Sequence, residues 1–447
     1  MKKSRYNFIW EIENEKKIAF NSATCSLAEV DNKFIDMLEK IESVNLKDLN
    51  NDELELIKNM KDGGYILDKD IDEIKDLKFK NYSGKFGGKT LGLTIAPTIN
   101  CNFKCIYCYE TPKANKMTIE TQDKLIQFAS KYVNTIEHMG ITWYGGEPLL
   151  CTDVIYRLSE KLMELCEKNN VEYSAYMVSN GYLIDEKVVE NLKKYKVSGV
   201  QITVDGPEHI HNKRRVLRSG KNDNFNKIIK SIGILDKNDI NVSIRINIDK
   251  DNVEYVKELC DILKEQEFKN IDINFGQVTP YTEACKSVSS SCYNTEEFSE
   301  IVLKLQDILN ENGFSALSGA FYPGIKGNYC CADQINSYVV DPEGNLYKCW
   351  NEIGEENKSV GNIFKLDENI SAKFLSNQLK YMTWTPFDSK ECLECGLLPI
   401  CMGGCPYSRH NKSTMSCERW KYNLENIIKK TYNNNKKYPK EFEKAFN

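Results

Sequence analysis

Between Leu91 and Gly276 the chain switches six times from a short apolar strand pattern to a longer charged helical one. The candidate strands are LGLTIAPT, GITWYGG, YSAYMVS, GVQITVD, NVSIRINI and IDINFGQ. Each reads as apolar on both faces, and charged stretches such as TQDKLIQFASKYVNTIEHM separate them. Strands of that kind are covered on both sides, and the helix between consecutive strands is the crossover that parallel pairing demands. Six units fall short of a closed eight-fold barrel, so the pattern predicts an α/β fold, a partial (β/α)6 barrel. Such barrels collect their chemistry on the loops that follow the C-terminal strand ends.

The flanks read differently. Residues 1–85 open with YNFIWEI and KKIAFNS around the polar turn ENE, a hairpin signal. Two amphipathic segments follow, NKFIDMLEKIE and NDELELIKNMKDGG, the second closed by Gly63 and Gly64. This is a small α+β module, winged-helix-like in its mixture of strands and helices. The basic, glycine-rich stretch KFKNYSGKFGGKT reads as the linker to the barrel, residues 86–276. A polar connector with one helix spans 277–329, a cysteine-rich segment 330–420, and a helix with a Lys/Asn-rich tail 421–447. A length of 447 residues suits two or three domains.

A net charge of -5 offers no general attraction to nucleic acid or an anionic membrane. No stretch approaches the roughly 20 apolar residues that span a bilayer, and charges interrupt the N-terminus before a secretory core forms. The expected location is the cytoplasm. In such a chain 17 clustered cysteines point to metal rather than to disulfides. Scattered Cys25, Cys151, Cys166 and Cys260 read as small buried hydrophobes.

Directly after the first strand comes CNFKCIYCYE, with Cys101, Cys105 and Cys108 on one loop. Cubane clusters normally take four cysteines. Three thiolates with no fourth nearby leave one iron open, as chelation of the amino and carboxylate groups of S-adenosylmethionine requires. A zinc site is the alternative, but zinc favours paired cysteines and four ligands. With Tyr107 before the last cysteine, the pattern resembles the radical S-adenosylmethionine (radical SAM) superfamily. The resemblance implies a catalytic [4Fe–4S] cluster whose electron cleaves S-adenosylmethionine to a 5′-deoxyadenosyl radical. Gly145-Gly146-Glu147-Pro148 ends the second strand and looks like the family's GGEP motif, which contacts the methionine amino group. Ser179-Asn180-Gly181 ends the third strand, where the family contacts ribose or carboxylate. Thr203-Val204-Asp205-Gly206-Pro207 ends the fourth and resembles SxDGP, with Thr203 in place of Ser and with His211 and Arg215 matching its trailing HxxxR. Read alone, GGEP is a tight turn and Asp205 a helix cap. No single side chain is assigned as catalytic.

The second cluster of cysteines reads Cys331-x12-Gly344-x4-Cys349, then Cys392-x2-Cys395-x5-Cys401-x3-Cys405-x11-Cys417. Structural zinc knuckles are one reading. The whole string, however, resembles the SPASM extension of radical SAM enzymes, which implies two auxiliary [4Fe–4S] clusters and three clusters in all. Carried over by position, Cys331, Cys349 and Cys405 would serve the first auxiliary cluster. Cys392, Cys395, Cys401 and Cys417 would serve the second. The first is then one ligand short. Either Cys330 or a loop cysteine (Cys285 or Cys292) completes it, or the site stays open for a substrate thiolate.

SPASM enzymes mostly modify peptides or proteins. In the anaerobic sulfatase maturases an Asp base follows the Gly-x4-Cys cysteine, whereas Trp350 stands here. The N-terminal module resembles the domain with which peptide-maturation enzymes take up a leader peptide as an added strand. A plain oligomerisation or capping module is the other reading. The expected activity is that of a peptide maturase of the thioether-forming (sactipeptide or ranthipeptide) type. It would join a cysteine sulfur to a carbon of a precursor peptide carrying a leader, and ferredoxin or flavodoxin would serve as reductant. Formylglycine formation and carbon–carbon or carbon–oxygen cross-linking are the alternatives, with a zinc or electron-transfer scaffold as the remote one.

Overall fold

A computed structural model describes residues 1–314, 322–365, 371–411 and 417–437. The chain forms two compact units. One comprises Gly88–Leu317 with Cys330–Thr383, the other Met1–Gly87 with Ser318–Tyr329 and Trp384–Asn447. The stretch 330–420 thus contributes to both.

In the first unit the six expected strands are Thr90–Ile95, His138–Trp143, Glu172–Ser179, Val197–Thr203, Asn241–Ile248 and Ile271–Gln277. They pair in parallel, each with the next in sequence. Local chemistry sets the helices between them. Thr118 caps Ile119–Ser130, and Asp185 caps Glu186–Lys194, each accepting from a backbone N–H of the first turn. Asn294 and Glu297 form a capping box on Thr295–Asn312, and Gly313 in the left-handed region ends it. The result is the partial (β/α)6 barrel.

The strands are not apolar on both faces as expected. In the fifth, Val242, Ile244, Ile246 and Ile248 are fully buried, while Ser243, Arg245 and Asn247 on the opposite face are half-buried. The third strand alternates in the same way. The outer face packs on helices; the inner face of an incomplete barrel is hollow and takes polar side chains. The cysteine-rich segment also adds strands that were not anticipated. Ser337–Val340 pairs in parallel with the first barrel strand, and Asn345–Tyr347 and Gly361–Asn362 extend the sheet to nine strands. Asp341 shapes the hairpin by accepting from Glu343 N, Asn345 N and the Tyr347 hydroxyl. Gly344 turns with φ of 80° where a Cβ would lie 2.8 Å from Ile363.

In the second unit the expected hairpin is Asn7–Glu11 with Lys17–Asn21, and a third strand, Ser26–Val30, joins it. Helices Asn32–Lys40 and Asn51–Asp62 begin at Asp31 and Asn50, and Gly63 caps the second. Phe34, Met37, Leu38, Ile57 and Met60 form their shared core.

The expected linker is a correction. Residues 78–86 belong to a helix, Glu73–Phe86, whose buried side is Leu77, Asn81 and Lys85. Asn81 donates to Gly327 O at 2.8 Å and Lys85 to Trp384 O at 2.6 Å. A helix seated by polar groups shows no apolar period, so the pattern concealed it. Tyr6 and Leu77 pack with Phe387, Cys392, Leu398 and Met402, so this unit shares a core between its N-terminal and cysteine-rich parts.

Helix Trp420–Lys437 follows, and the tail beyond it lies outside the described residues. Among the described residues no helix is long and apolar enough to cross a membrane. Cys151, Cys166 and Cys260 are buried as expected, whereas Cys25 is half-buried at a left-handed turn position.

Candidate functional site

The segment after the first barrel strand is held by backbone on two sides. Gly146 N and Glu147 N donate to Thr98 O and Asn100 O at 3.3 and 2.9 Å. A Cβ on Gly145 would lie 2.4 Å from Thr98 O, and one on Gly146 would lie 2.2 Å from Asn100 O. Both glycines therefore serve close approach of two loops. On the other side Phe103–Cys105 pairs antiparallel with Arg215–Leu217, which sets Cys105 opposite Arg215. Arg218 adds Nε to Cys101 O at 3.0 Å and N to Asn102 O at 2.9 Å.

Two buried networks lie beside this loop. In the first, Glu147 accepts from Leu149 N at 3.0 Å, Asn180 N at 2.8 Å and Ser179 Oγ at 2.9 Å. Burial raises its pKa, and these donors oppose the rise. Asn180 Nδ2 reaches Asn102 Oδ1 at 2.7 Å and lies 3.9 Å from Cys101 Sγ. Pro148 opens the short helical turn that Glu147 caps. Both Glu147 oxygens are thus engaged by the protein itself.

In the second network the Tyr107 hydroxyl donates to Asp205 and accepts from Arg215 Nη1 at 2.8 Å and Asn247 Nδ2 at 3.2 Å. Burial pushes the phenol well above its usual range. Asn247 N donates to the other Asp205 oxygen at 2.9 Å. Thr203 ends the fourth strand opposite Arg245. His211 is fully buried; desolvation, with Arg215 and Arg214 nearby, holds its pKa well below the usual value and keeps it neutral. The structure therefore gathers Tyr107, Asp205 and Arg215 into one network, and Glu147, Ser179 and Asn180 into another.

Several members were not anticipated. Arg214 grips Asp249 with two contacts, and Asn252 donates to Asp205 O and Asn247 O at 2.8 and 2.9 Å. The polar run NIDKDN at the end of the fifth strand was the available signal.

Cys101, Cys105 and Cys108 are half-buried. Burial pushes the Cys101 and Cys108 thiols up to about 12 and raises Cys105 as well. Such thiols lose their protons to a bound metal rather than to water. Among the described residues no three metal-binding side chains converge on a single ion. A cubane differs from a single ion in that each thiolate takes its own iron. The triplet on one pinned loop, with no further cysteine in it, fits that cluster.

In the same unit Cys330 and Cys349 pack against Ala332, Tyr381 and Met382. A hydrogen bond with Cys330, helped by Lys348, lowers the Cys331 thiol. Cys285 and Cys292 direct their thiols to Thr282 O and Val288 O, both at 3.3 Å. The other unit holds Cys392, Cys395, Cys401, Cys405 and Cys417. Met402, Gly403 and Gly404 take consecutive left-handed conformations between Cys401 and Cys405. Burial raises the Cys417 thiol, and Lys421 and Arg409 oppose the rise.

A parallel partial barrel with a thiolate triplet at its strand ends defines a class of iron–sulfur radical enzymes. Residues 95–274 match the family model of the Radical SAM superfamily. The chain carries a radical SAM domain homologous to that of anaerobic sulfatase-maturating enzymes, and the Radical SAM family uses a [4Fe–4S] cluster and S-adenosylmethionine. The cysteine-type anaerobic sulfatase-maturating enzyme of Clostridium perfringens is 24% identical over 73% of this chain and 92% of its own. The radical SAM cyclopropyl synthase TigE of Paramaledivibacter caminithermalis is 24% identical over 90% of this chain and 89% of its own. The crystal structure of Streptococcus suis SuiB bound to precursor peptide SuiA superposes with a TM-score of 0.52 at 16% identity. It covers 94% of this chain and 98% of that one.

Proposed function

We propose that this enzyme is a peptide maturase that joins a cysteine sulfur to a carbon of a ribosomally made precursor peptide. The observation that carries the reading is at Trp350. It follows Cys349, where the sulfatase maturases place an Asp base, and its ring lies 4.4 Å from that of Tyr144. An aromatic pair occupies the place of a proton acceptor. The extent of similarity supports the peptide-maturase part of this reading, since SuiB, solved with a precursor peptide, and TigE align over 94% and 90% of the chain but the sulfatase maturase over 73%. The three-stranded sheet of the N-terminal module would take up a leader peptide along an edge strand.

Cys101, Cys105 and Cys108 would hold the catalytic cluster, and the Glu147–Asn180 and Tyr107–Asp205–Arg215 networks would seat S-adenosylmethionine beside it. Cys331, Cys349 and Cys405, with Cys330 or a substrate thiolate, and Cys392, Cys395, Cys401 and Cys417 would hold the auxiliary clusters. Bound there, these groups supply the 5′-deoxyadenosyl radical and an acceptor for the surplus electron. The residues of this chain pin the cysteine loop, bury the reacting region and orient both partners. Ferredoxin or flavodoxin is the proposed reductant.

The test is anaerobic incubation of the reconstituted full chain, S-adenosylmethionine and dithionite with the cysteine-bearing peptide encoded beside it. Loss of two hydrogens per link, together with a cysteine that no longer reacts with iodoacetamide, is expected. Unchanged peptide mass alongside intact cleavage of S-adenosylmethionine overturns the reading. The similarity to sulfatase maturases favours formylglycine formation as the second reading, which would yield an aldehyde and no link.

A further inference from the structure

The inner face of the barrel is lined in layers. Deep in it the polar side chains satisfy one another: His138 meets Ser174 at 2.8 Å, and Asn274 donates to Ser243 at 2.7 Å. Nearer the strand ends Arg245 differs. It is half-buried on the face shared by Ser243 and Asn247. Among the described residues it donates from Nε to Asn247 Oδ1 at 2.9 Å, and no carboxylate lies within ion-pair distance. Asp272, on the sixth strand, makes no ion pair with it. The guanidinium lies flat over Gly276, where a Cβ would sit 2.1 Å from Nη2 and 2.4 Å from Cζ. Glycine inside a strand marks such a close approach. Burial raises the phenol of Tyr144, whose ring is tilted against that of Trp350, and the Arg245 cation opposes the rise.

A guanidinium drawn partly out of water, its planar fork held open over a glycine, is built for a carboxylate. We propose that Arg245 is a specificity residue of this enzyme, pairing with the side-chain carboxylate of an acidic residue close to the modified position of the peptide. The inference rests on the peptide-maturase reading. The methionyl carboxylate is the less suitable partner. Arg215 already supplies a cation opposite Cys105, and Asn247 stands between Arg245 and the Tyr107 network.

Fluorescein-labelled cysteine peptides, with Glu or Asp against Gln or Asn beside the cysteine, test this by anisotropy on the anaerobic, cluster-loaded enzyme with S-adenosylmethionine present. Wild type should bind the acidic peptides at least about tenfold more tightly, the scale of one partly buried charge pair. Arg245→Gln should erase the preference without changing S-adenosylmethionine affinity in equilibrium dialysis. Arg245→Glu should turn the preference toward lysine peptides, a reversal that a merely structural role would not give. Gly276→Ala, which displaces the guanidinium and keeps the charge, should reduce the preference. Equal binding of acidic and neutral peptides by wild type overturns the inference alone. So does a loss of S-adenosylmethionine affinity in Arg245→Gln that matches the loss of peptide affinity. Binding of none of the peptides by wild type overturns the peptide-substrate reading and this inference with it.

Discussion

Arg214 and Asp249 meet through two parallel contacts of 2.9 and 2.8 Å, Nη1 to Oδ1 and Nη2 to Oδ2, and both residues are buried. Arg214 also faces Asp205 at 3.9 Å and lies over the Tyr107 ring, 5.3 Å from its centre. One guanidinium thus braces the end of the fifth strand against the loop that carries the cysteines. Arg214→Met would leave two buried carboxylates short of their cation. The expected cost is about 3–5 kcal/mol, read by urea unfolding. Combining it with Asp249→Asn should give less than the sum of the two single losses.

Gly146→Ala probes the cysteine loop directly. Its Cβ would lie 2.2 Å from Asn100 O, so backbone on one side must move. S-adenosylmethionine affinity should fall roughly tenfold or more, given that one such step is worth about 1.4 kcal/mol. Equilibrium dialysis on the cluster-loaded enzyme reads it, and wild-type affinity would show that the loop yields without consequence.

The three cysteine sets predict separable losses of iron. The Cys101/Cys105/Cys108→Ala variant should fall from about twelve irons to about eight per chain and lose cleavage of S-adenosylmethionine. Colorimetric iron and sulfide counts decide it. A count that stays unchanged removes the triplet from the ligand set.

Glu352 couples stability to pH. It is 6% exposed, and burial lifts its carboxyl from 4.5 to about 7. The folded chain keeps this proton up to about pH 7 while the unfolded chain releases it near 4.5. The contribution is therefore full below 4.5 and lost as pH rises through about 7. Its size is at most about 3 kcal/mol. Glu352→Gln should flatten that decline, so urea midpoints of variant and wild type should diverge between about pH 4.5 and about pH 7 in favour of the variant. Parallel midpoints across that range would rule the coupling out.

Much of this enzyme could be read along the chain. Periodicity located all six barrel strands, because an outer face of Val, Ile and Met must be covered whatever else the strand does. Spacing singled out Cys101, Cys105 and Cys108, since three thiols on one loop are close before any folding occurs. Gly63 and Gly64 marked the end of helix Asn51–Asp62, because a glycine stop acts on backbone within one turn.

Other features depended on partners far away in sequence. The helix Glu73–Phe86 is seated by Asn81 on Gly327 and Lys85 on Trp384, contacts with no local trace. The strand Ser337–Val340 exists because the edge of Thr90–Ile95 is open to it. Arg215 was legible from its motif, but Arg214 became visible as the brace only when the fifth strand brought Asp249 to it. Arg245 and Gly276, neighbours across two strands, carried no mark at all. The sequence by itself determined the repeated unit and the cysteine triplet, which local geometry and hydrophobic pattern encode. Tertiary structure alone decided which charges are paired and which face the hollow of the barrel, because pairing depends on strand register and on distances that only the folded chain creates.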